Sequence, residues 1–216
     1  MKVPANTEHA LECYTQALEL ARRVGDRVSE SGALTNLGIM HAILGSTEEA
    51  DGCYRQSLAI DRQIGDRAAE GYDLFNLADL HMERNELAAA EEFLRAALES
   101  FDAAESSQGR AIAMAALGEV MRRQGQLAEA RCVLDEALAL LRDGWDNQQL
   151  FLLHCYRTLC FSDLCEHANA QLALQEAERL GATLGVDTQL HLGRALDLAR
   201  HAACKSPPPN STAGNH

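Results

Sequence analysis

The chain has 216 residues, of which 47% are hydrophobic but only 5% are aromatic, so any core must be aliphatic and rich in helix-favouring Leu and Ala. Its 19 basic and 32 acidic residues give a formal net charge of −13, which argues against general binding to nucleic-acid backbones and to anionic membranes. The chain has seven cysteines, which is an odd number, and they lie within helical patterns instead of the loop-rich segments typical of disulfide-bonded proteins. They are therefore expected to be reduced thiols. Without a signal peptide or a run of eighteen apolar residues, the protein is expected to be cytoplasmic.

A near-identity within the first 67 residues reveals a repeat. After a flexible start at residues 1–6, the first predicted helix spans residues 7–24. Its sequence CYTQALELARRVGDR (13–27) returns 40 residues later as CYRQSLAIDRQIGDR (53–67). The same step relates Asn36-Leu37-Gly38 to Asn76-Leu77-Ala78 and Ala116-Leu117-Gly118, and Ala50 to Ala90, Ala130 and Ala170. A period in the range of about 20–50 residues predicts stacked helical or strand units that bury their apolar faces against one another.

Each unit is predicted to be a pair of helices. Leu34, Leu37 and His41 recur at i, i+3 and i+7, which is the spacing of one apolar stripe on a helix. A second helix follows the segment LGSTEEA. In that segment Gly45 suits a left-handed C-terminal turn, and Ser46 with Glu49 suits a capping box. The fold class is therefore predicted to be all-α.

The turns of later units repeat this chemistry. Gly65 is expected to end one helix and Asp66 to cap the next. Asn85 and Gly125 stand where the first unit has Gly45, and both residue types tolerate a positive φ. These signals place full repeats at about 27–64, 67–104 and 106–142, a degenerate repeat at 147–181, and a last helix at 187–204.

The two ends carry separate predictions. Residues 7–24 correspond to the second helix of a pair with no first helix before it, so we expect that the chain begins inside a repeat, as a piece of a longer array would. Asp187 is expected to cap the last helix, which would cover the preceding pair. Residues 205–216 are rich in Pro, Ser and Asn and are predicted to be disordered.

The spacing of small and apolar positions resembles that of the tetratricopeptide repeat. Leu37-Gly38, His41, Gly45, Ala50, Tyr54 and Ser57 follow its pattern of two helices, and the next two units repeat it. Leu34, Leu74 and Met114 replace the usual Trp, and the usual terminal Pro is absent. The 40-residue step resembles the longer variant of bacterial signalling and transcription-regulator proteins. The resemblance implies an α-solenoid that winds as a right-handed superhelix. It weakens in the fourth unit, where Arg157-Thr158 replace Leu-Gly.

Sequence motifs for chemistry are scarce. No glycine-rich phosphate loop follows a strand pattern. The segment HCYRTLCFSDLCEH, from His154 to His167, holds three cysteines and two histidines. Its Cys residues lie five apart, which turns each by about 140° from the last on a helix and so favours packing over a shared metal site. We therefore expect no metal, no cofactor and no enzymatic activity.

A second face of each first helix remains as a candidate binding surface. The resemblance implies that the first helices line a groove that holds peptides, and that Asn36 and Asn76 clamp the ligand backbone. An amide suits that task because it donates and accepts. The alternative is that both amides only bond neighbouring helices. The candidate groove residues are Asn36, Ile39, Tyr72, Phe75, Asn76, Asp79, Met82, Glu119, Arg122 and Arg123.

Two classes of function follow. The first is a non-catalytic scaffold that binds a peptide or a partner segment in the groove. The second is a regulatory or sensor arm of a larger bacterial signalling or transcription-regulator protein. A small-molecule sensor is a third hypothesis, based on the patch of Tyr72, Phe75 and Met82. The partner is expected to be a protein or peptide, with neither nucleic acid nor membrane bound directly.

Overall fold

A computed structural model describes residues 5–140, 147–185 and 190–204 of the chain. These residues form helices and turns and contain no strand, which confirms the predicted all-α helical repeat fold. Asp187 and the tail from residue 205, for which a helix cap and disorder were predicted, lie outside the described residues. The helices are α1 (Ala5–Val24), α2 (Arg27–Ile43), α3 (Thr47–Ile64), α4 (Arg67–Glu83), α5 (Leu87–Ala103), α6 (Ser107–Arg123), α7 (Leu127–Leu140), α8 (Asn147–Asp163), α9 (His167–Leu184) and α10 (Leu190–Cys204).

The turns between helices follow the predicted chemistry with one exception. Gly45, Asn85 and Gly125 all adopt positive φ angles of 76°, 60° and 84°. Asp66 caps α4 by accepting a hydrogen bond from the backbone N–H of Ala69 at 3.0 Å. Ser46 does occupy the N-cap position of α3, but its side chain makes no capping hydrogen bond, so the predicted capping box does not form.

Small residues let the two helices of each pair approach closely. The alanines that recur at the 40-residue step, Ala50, Ala90, Ala130 and Ala170, are completely buried. A Cβ atom added to Gly38 would lie 2.5 Å from Cε1 of Tyr54, and one added to Gly118 would lie 2.6 Å from Cγ of Leu134. These positions therefore have no room for a side chain.

The chain divides into two compact units, the first ending at Ala116 and the second beginning at Leu117 within α6. In the first unit, α1, α2 and α3 close on an apolar cluster that contains Leu18, Leu34, Leu37 and Ile60. Half-buried Tyr14 packs against the same cluster. The core is thus mostly aliphatic here.

In the second unit, α8, α9 and α10 share one apolar cluster. Phe151 and Cys155 of α8 lie in it with Leu180 of α9 and with Leu196 and Ala199 of α10. Because Leu196, Ala199 and Ala203 are buried in this cluster, α10 packs on the fourth pair by burial of one apolar face.

Candidate functional site

Seven of the ten predicted groove residues lie on α2 and α4 in the first unit. The two helices are joined where the Thr35 hydroxyl donates to Oδ1 of Asp73 at 2.8 Å. Asn36 and Asn76 hold equivalent positions 40 residues apart, one on each helix. We call Asn36, Ile39, Tyr72, Phe75, Asn76 and Asp79 the α2–α4 surface.

The apolar members of the predicted groove differ in exposure. Tyr72 is 37% exposed, and its ring stands edge-on to that of Phe101 with centroids 5.0 Å apart. Phe75 and Ile39 are half-buried. Met82 is only 7% exposed and lies in the core, so it offers little surface to a ligand. Tyr72, Phe75 and Ile39 therefore form the accessible apolar part.

The two amides of this surface are both half-buried. Among the described residues, neither side chain makes a hydrogen bond, whether to a neighbouring helix or to its own. Interhelix bonding, the alternative explanation for these asparagines, is thus not observed. Their N–H and C=O groups remain available to a ligand.

Asp79 places one carboxylate at the surface. Water reaches its side chain, yet surrounding protein and the nearby charge of Glu83 hold the pKa of Asp79 above its ordinary range. No cation pairs with Asp79 within the described part of the chain. A positively charged ligand group would relieve both effects.

The remaining three predicted residues, Glu119, Arg122 and Arg123, belong to α6 in the second unit. The guanidinium of Arg122 donates to both carboxylate oxygens of Glu119, at 2.7 and 2.9 Å, and to Asp163 at 2.5 Å. These acceptors raise the pKa of Arg122. Glu119 is only 7% exposed. Arg122 is therefore bound internally rather than held out as a ligand-binding charge, whereas Arg123 is exposed.

A pair of buried acids next to this surface was not predicted from the sequence. Asp61 of α3 and Asp73 of α4 are 1% and 0% exposed and lie within hydrogen-bonding reach of each other. Both oxygens of Asp61 and Oδ2 of Asp73 lack a donor among the described residues. Burial raises the pKa of both carboxyls. The available signal was Asp73 itself, which stands where the neighbouring units have Ala33 and Ala113.

The Cys- and His-rich segment spreads over a helix and a turn. Cys155 and Cys160 are 0% and 1% exposed, and burial raises their pKa values to about 12 and about 11. Cys165 lies in the turn after α8 and is exposed. Over the residues that the structure describes, no three His, Cys, Asp or Glu side chains are grouped as metal ligands would be.

Comparison with known sequences identifies the repeat. A family model described as tetratricopeptide repeat matches residues 6–63 and 68–143, which is more than half of the chain. The chain belongs to the tetratricopeptide repeat family. No match was found among curated protein sequences. Within the described residues, no helix is long and apolar enough to span a membrane.

Solved structures of low sequence identity share this tetratricopeptide fold. The crystal structure of BtubC (BKLC) from P. vanneervenii is 16% identical, with a TM-score of 0.67 over 97% of this chain and 96% of that one. A Rap protein solved in complex with Competence and Sporulation Factor is 15% identical, with a TM-score of 0.66 over 94% of this chain and 61% of that one. The apo form of RapI is 16% identical, with a TM-score of 0.70 over 93% and 59% of the two chains. At such identities these likenesses concern the fold.

Proposed function

We propose that this tetratricopeptide repeat protein is a non-catalytic scaffold that binds a partner segment in extended conformation along the α2–α4 surface. The observation that carries the proposal is the pair of half-buried amides, Asn36 and Asn76, whose side chains make no hydrogen bond in the described structure. An amide can donate to a backbone carbonyl and accept from a backbone N–H, so two of them hold a strand-like segment without reading its sequence.

The other members of the surface would supply selectivity. Tyr72 and Phe75 offer apolar area for one large side chain, and burying such a side chain contributes about 1.5–3 kcal/mol. Asp79 has no cation beside it among the described residues and favours a Lys or Arg in the ligand. Its contribution is expected mainly in orientation and association rate. The bound segment is thus expected to combine an apolar anchor with a basic residue.

A binding experiment on defined peptides tests the proposal. Peptides are selected from a random library on the full chain, and their Kd values are measured by calorimetry for the wild type and for the double variant Asn36→Ala/Asn76→Ala. We expect the double variant to weaken binding by about 10- to 100-fold, since hydrogen bonds contribute about 0.5–1.5 kcal/mol each. Its melting temperature should change little, because the amides bond no other helix.

Asn147→Ala is a matched control, because Asn147 is an exposed asparagine on α8. It should leave the affinity unchanged. Equal affinity of the wild type and the double variant for every selected peptide would contradict the amide clamp. A selection that yields no binding peptide would contradict the scaffold itself.

A second candidate function is that this fold serves as a regulatory arm within a larger bacterial signalling or transcription-regulator protein. It is supported by the Rap proteins, in which the matched fold makes up 61% and 59% of the chain. An immunoblot of native cells with an antibody against this chain tests it. A single band at the mass of this chain, 23.5 kDa, would count against the larger polypeptide.

A further inference from the structure

The fourth helical pair replaces apolar core positions by basic ones. His154, Arg157 and Phe161 of α8 stand at i, i+3 and i+7, where the first pair has Leu34, Leu37 and His41. In the first pair the two leucines lie in a closed apolar cluster. The same positions in the second unit face a cavity instead.

This cavity lies between α7, α8 and α9 and has a volume of about 340 Å³. It is therefore large enough for a small organic molecule or one large side chain, whose pockets begin at about 300 Å³. Its wall combines charged and apolar groups, among them Arg131, Asp135, His154, Arg157, Phe161 and Leu172.

Arg157 in the cavity wall is held in place by its neighbours, but only part of its guanidinium group is hydrogen-bonded. Nε and Nη2 of Arg157 both donate to Oδ1 of Asp135, at 3.2 and 2.9 Å. Its guanidinium carbon lies 5.1 Å from the ring centroid of Phe161, which fixes the plane of the group. Nη1 of Arg157 has no hydrogen-bond partner among the described residues. Asp135 thus already occupies part of a guanidinium fork that suits a carboxylate.

His154 supplies a second polar group in the same wall. Its side chain belongs to a residue only 9% exposed, and its Nδ1 is buried without a hydrogen-bond partner in the described structure. Burial, together with the charge of Arg157, lowers the pKa of His154 to about 4. The imidazole is therefore neutral near pH 7, and its accessible nitrogen Nε2 can carry the proton and donate it.

The charges around the cavity are balanced. Arg131 pairs with Glu166 at 2.5 Å, and Arg179 pairs with Glu176 at 2.8 Å. Asp135 likewise forms an ion pair with Arg157, so the positive and negative charges around the cavity are equal in number. An anion therefore meets no local negative excess here, although the whole chain carries a net charge of −13.

We propose that the cavity between α7, α8 and α9 binds a carboxylate joined to an apolar body, with the carboxylate on Arg157 and His154 and the apolar body on Phe161 and Leu172. Nη1 of Arg157 and the Nε2–H tautomer of His154 are the two donors, since Nε2 is the ring nitrogen that solvent reaches. Such a carboxylate comes either from a small organic acid or from the C-terminus of a partner peptide. The site is separate from the α2–α4 surface and does not depend on the scaffold function.

Phenylacetate and phenylacetamide are a matched pair of probes, because they share the ring and differ in the carboxylate. We expect calorimetry on the full chain to detect saturable binding of phenylacetate and at least tenfold weaker binding of phenylacetamide. The ¹⁵N signals of His154 should shift on titration, and its pKa should rise because the bound anion favours the imidazolium. A peptide ending in a free Phe carboxylate, compared with its amidated form, tests the second source.

Two substitutions with opposite expected effects on affinity separate a role in binding from a role in folding. Arg157→Leu restores the residue of the first three pairs and should weaken phenylacetate binding about tenfold or more, as loss of a charge-assisted hydrogen bond does. Asp135→Asn removes the negative charge that competes for Arg157, although its Oδ1 can still accept a hydrogen bond, and should tighten binding several-fold. A merely structural role of Asp135 would not tighten it.

The two sources are told apart by affinity. Binding of the free-acid peptide at least tenfold tighter than that of phenylacetate assigns the site to a chain terminus, and the reverse order assigns it to a small acid. No saturable binding of either carboxylate, or equal binding of acids and amides, would overturn the proposal. Unchanged affinity in both Arg157→Leu and Asp135→Asn would also overturn it.

Discussion

Helices α2 and α8 stand three repeat steps apart, so residues of the first pair have counterparts 120 positions later in the fourth. Leu34 and Leu37 are 2% and 7% exposed in an apolar cluster. Their counterparts His154 and Arg157 face a cavity of about 340 Å³. Both pairs nevertheless keep a fully buried alanine in the second helix, Ala50 and Ala170. The buried alanine thus keeps the two helices of a pair close together in both cases. The positions beside it vary: they hold a closed apolar cluster in the first pair and polar side chains beside a cavity in the fourth.

Substitutions at the equivalent positions 37 and 157 are expected to give the largest difference in stability between the two pairs. Leu37→Arg places an unpaired charge in the apolar cluster of the first pair and should lower the free energy of unfolding by about 3–5 kcal/mol. Arg157→Leu in the fourth pair removes a group beside a cavity, so we expect a change below about 1 kcal/mol. Urea denaturation of both variants measures this difference.

Leu37→Met is a suitable control, because it keeps an apolar side chain of similar volume. Equal losses of unfolding free energy in Leu37→Arg and Arg157→Leu would show that the two positions have the same environment. This result would contradict the difference between the first and fourth pairs.

The buried titratable groups give the two units opposite pH dependence. Burial raises the pKa of Asp73 from 3.8 to about 7, so the folded first unit retains a proton that the unfolded chain releases. Its stability should therefore fall as the pH rises from about 4 to 7, by an amount on the order of 2–4 kcal/mol. The pKa of His154 is lowered from 6.5 to about 4, so the second unit should lose stability as the pH falls through that range.

Hydrogen exchange at pH 5 and pH 7.5, corrected for the intrinsic exchange rate, measures the two units separately. Asp73→Asn should reduce the dependence of the first unit and leave the part due to Asp61 and Asp79, whose pKa values are also raised, whereas His154→Leu should remove that of the second. Parallel pH dependence in both units would refute the assignment of these two groups.

The contact at Gly38 offers a smaller difference between the pairs. Gly38→Thr introduces the residue that the fourth pair carries as Thr158, which is fully buried and bonds to the carbonyl of His154. Because a Cβ at position 38 would lie 2.5 Å from the ring of Tyr54, we expect a loss of about 1–3 kcal/mol. Thermal unfolding measures this loss.

Replacing Tyr54 by Leu, the residue at the equivalent position 174, should relieve the clash. A double-mutant cycle with Gly38→Thr and Tyr54→Leu is expected to give a favourable coupling energy of about 0.5–3 kcal/mol. If the effects of the two substitutions simply add, the loss of stability in Gly38→Thr does not come from a clash with the Tyr54 ring.

The smallest effect concerns the turn inside each pair. Gly45 has a φ of 76° in the first pair, whereas Cys165 occupies the same place in the fourth with a φ of 59°. Cys165→Gly should stabilise the second unit by about 0.5–1 kcal/mol, since relief of left-handed strain exceeds the added entropy of the unfolded chain. Cys165→Ser, which keeps the strain, is the control in urea denaturation. A gain of the same size from Cys165→Ser would point to the thiol instead of the backbone.

Several features could be predicted from the order of the residues alone: the period, the helical pairs, the turns at Gly45, Asn85, Gly65 and Gly125, and the small residues at Gly38 and Gly118. All of these depend on local chemistry: on which side chains share a helix face, which residues accept a positive φ, and where a side chain has no room. Because such signals lie within one helix or turn and return at each 40-residue step, they can be read without knowing the partners of a residue. The weakening of the pattern at Arg157-Thr158 was visible in the same way.

Other features depend on how the helices pack: the pairing of Asp61 with Asp73, the ion pairs of Arg122 with Glu119 and Asp163, and the burial of Met82. Each of these is set by which side chains from another helix lie opposite, and the period along one helix carries no information about them. The availability of the Asn36 and Asn76 amides is of the same kind, since a helical pattern cannot show whether a neighbouring helix offers a partner. The cavity at His154 and Arg157 likewise arises because side chains of three helices fail to fill the space between them.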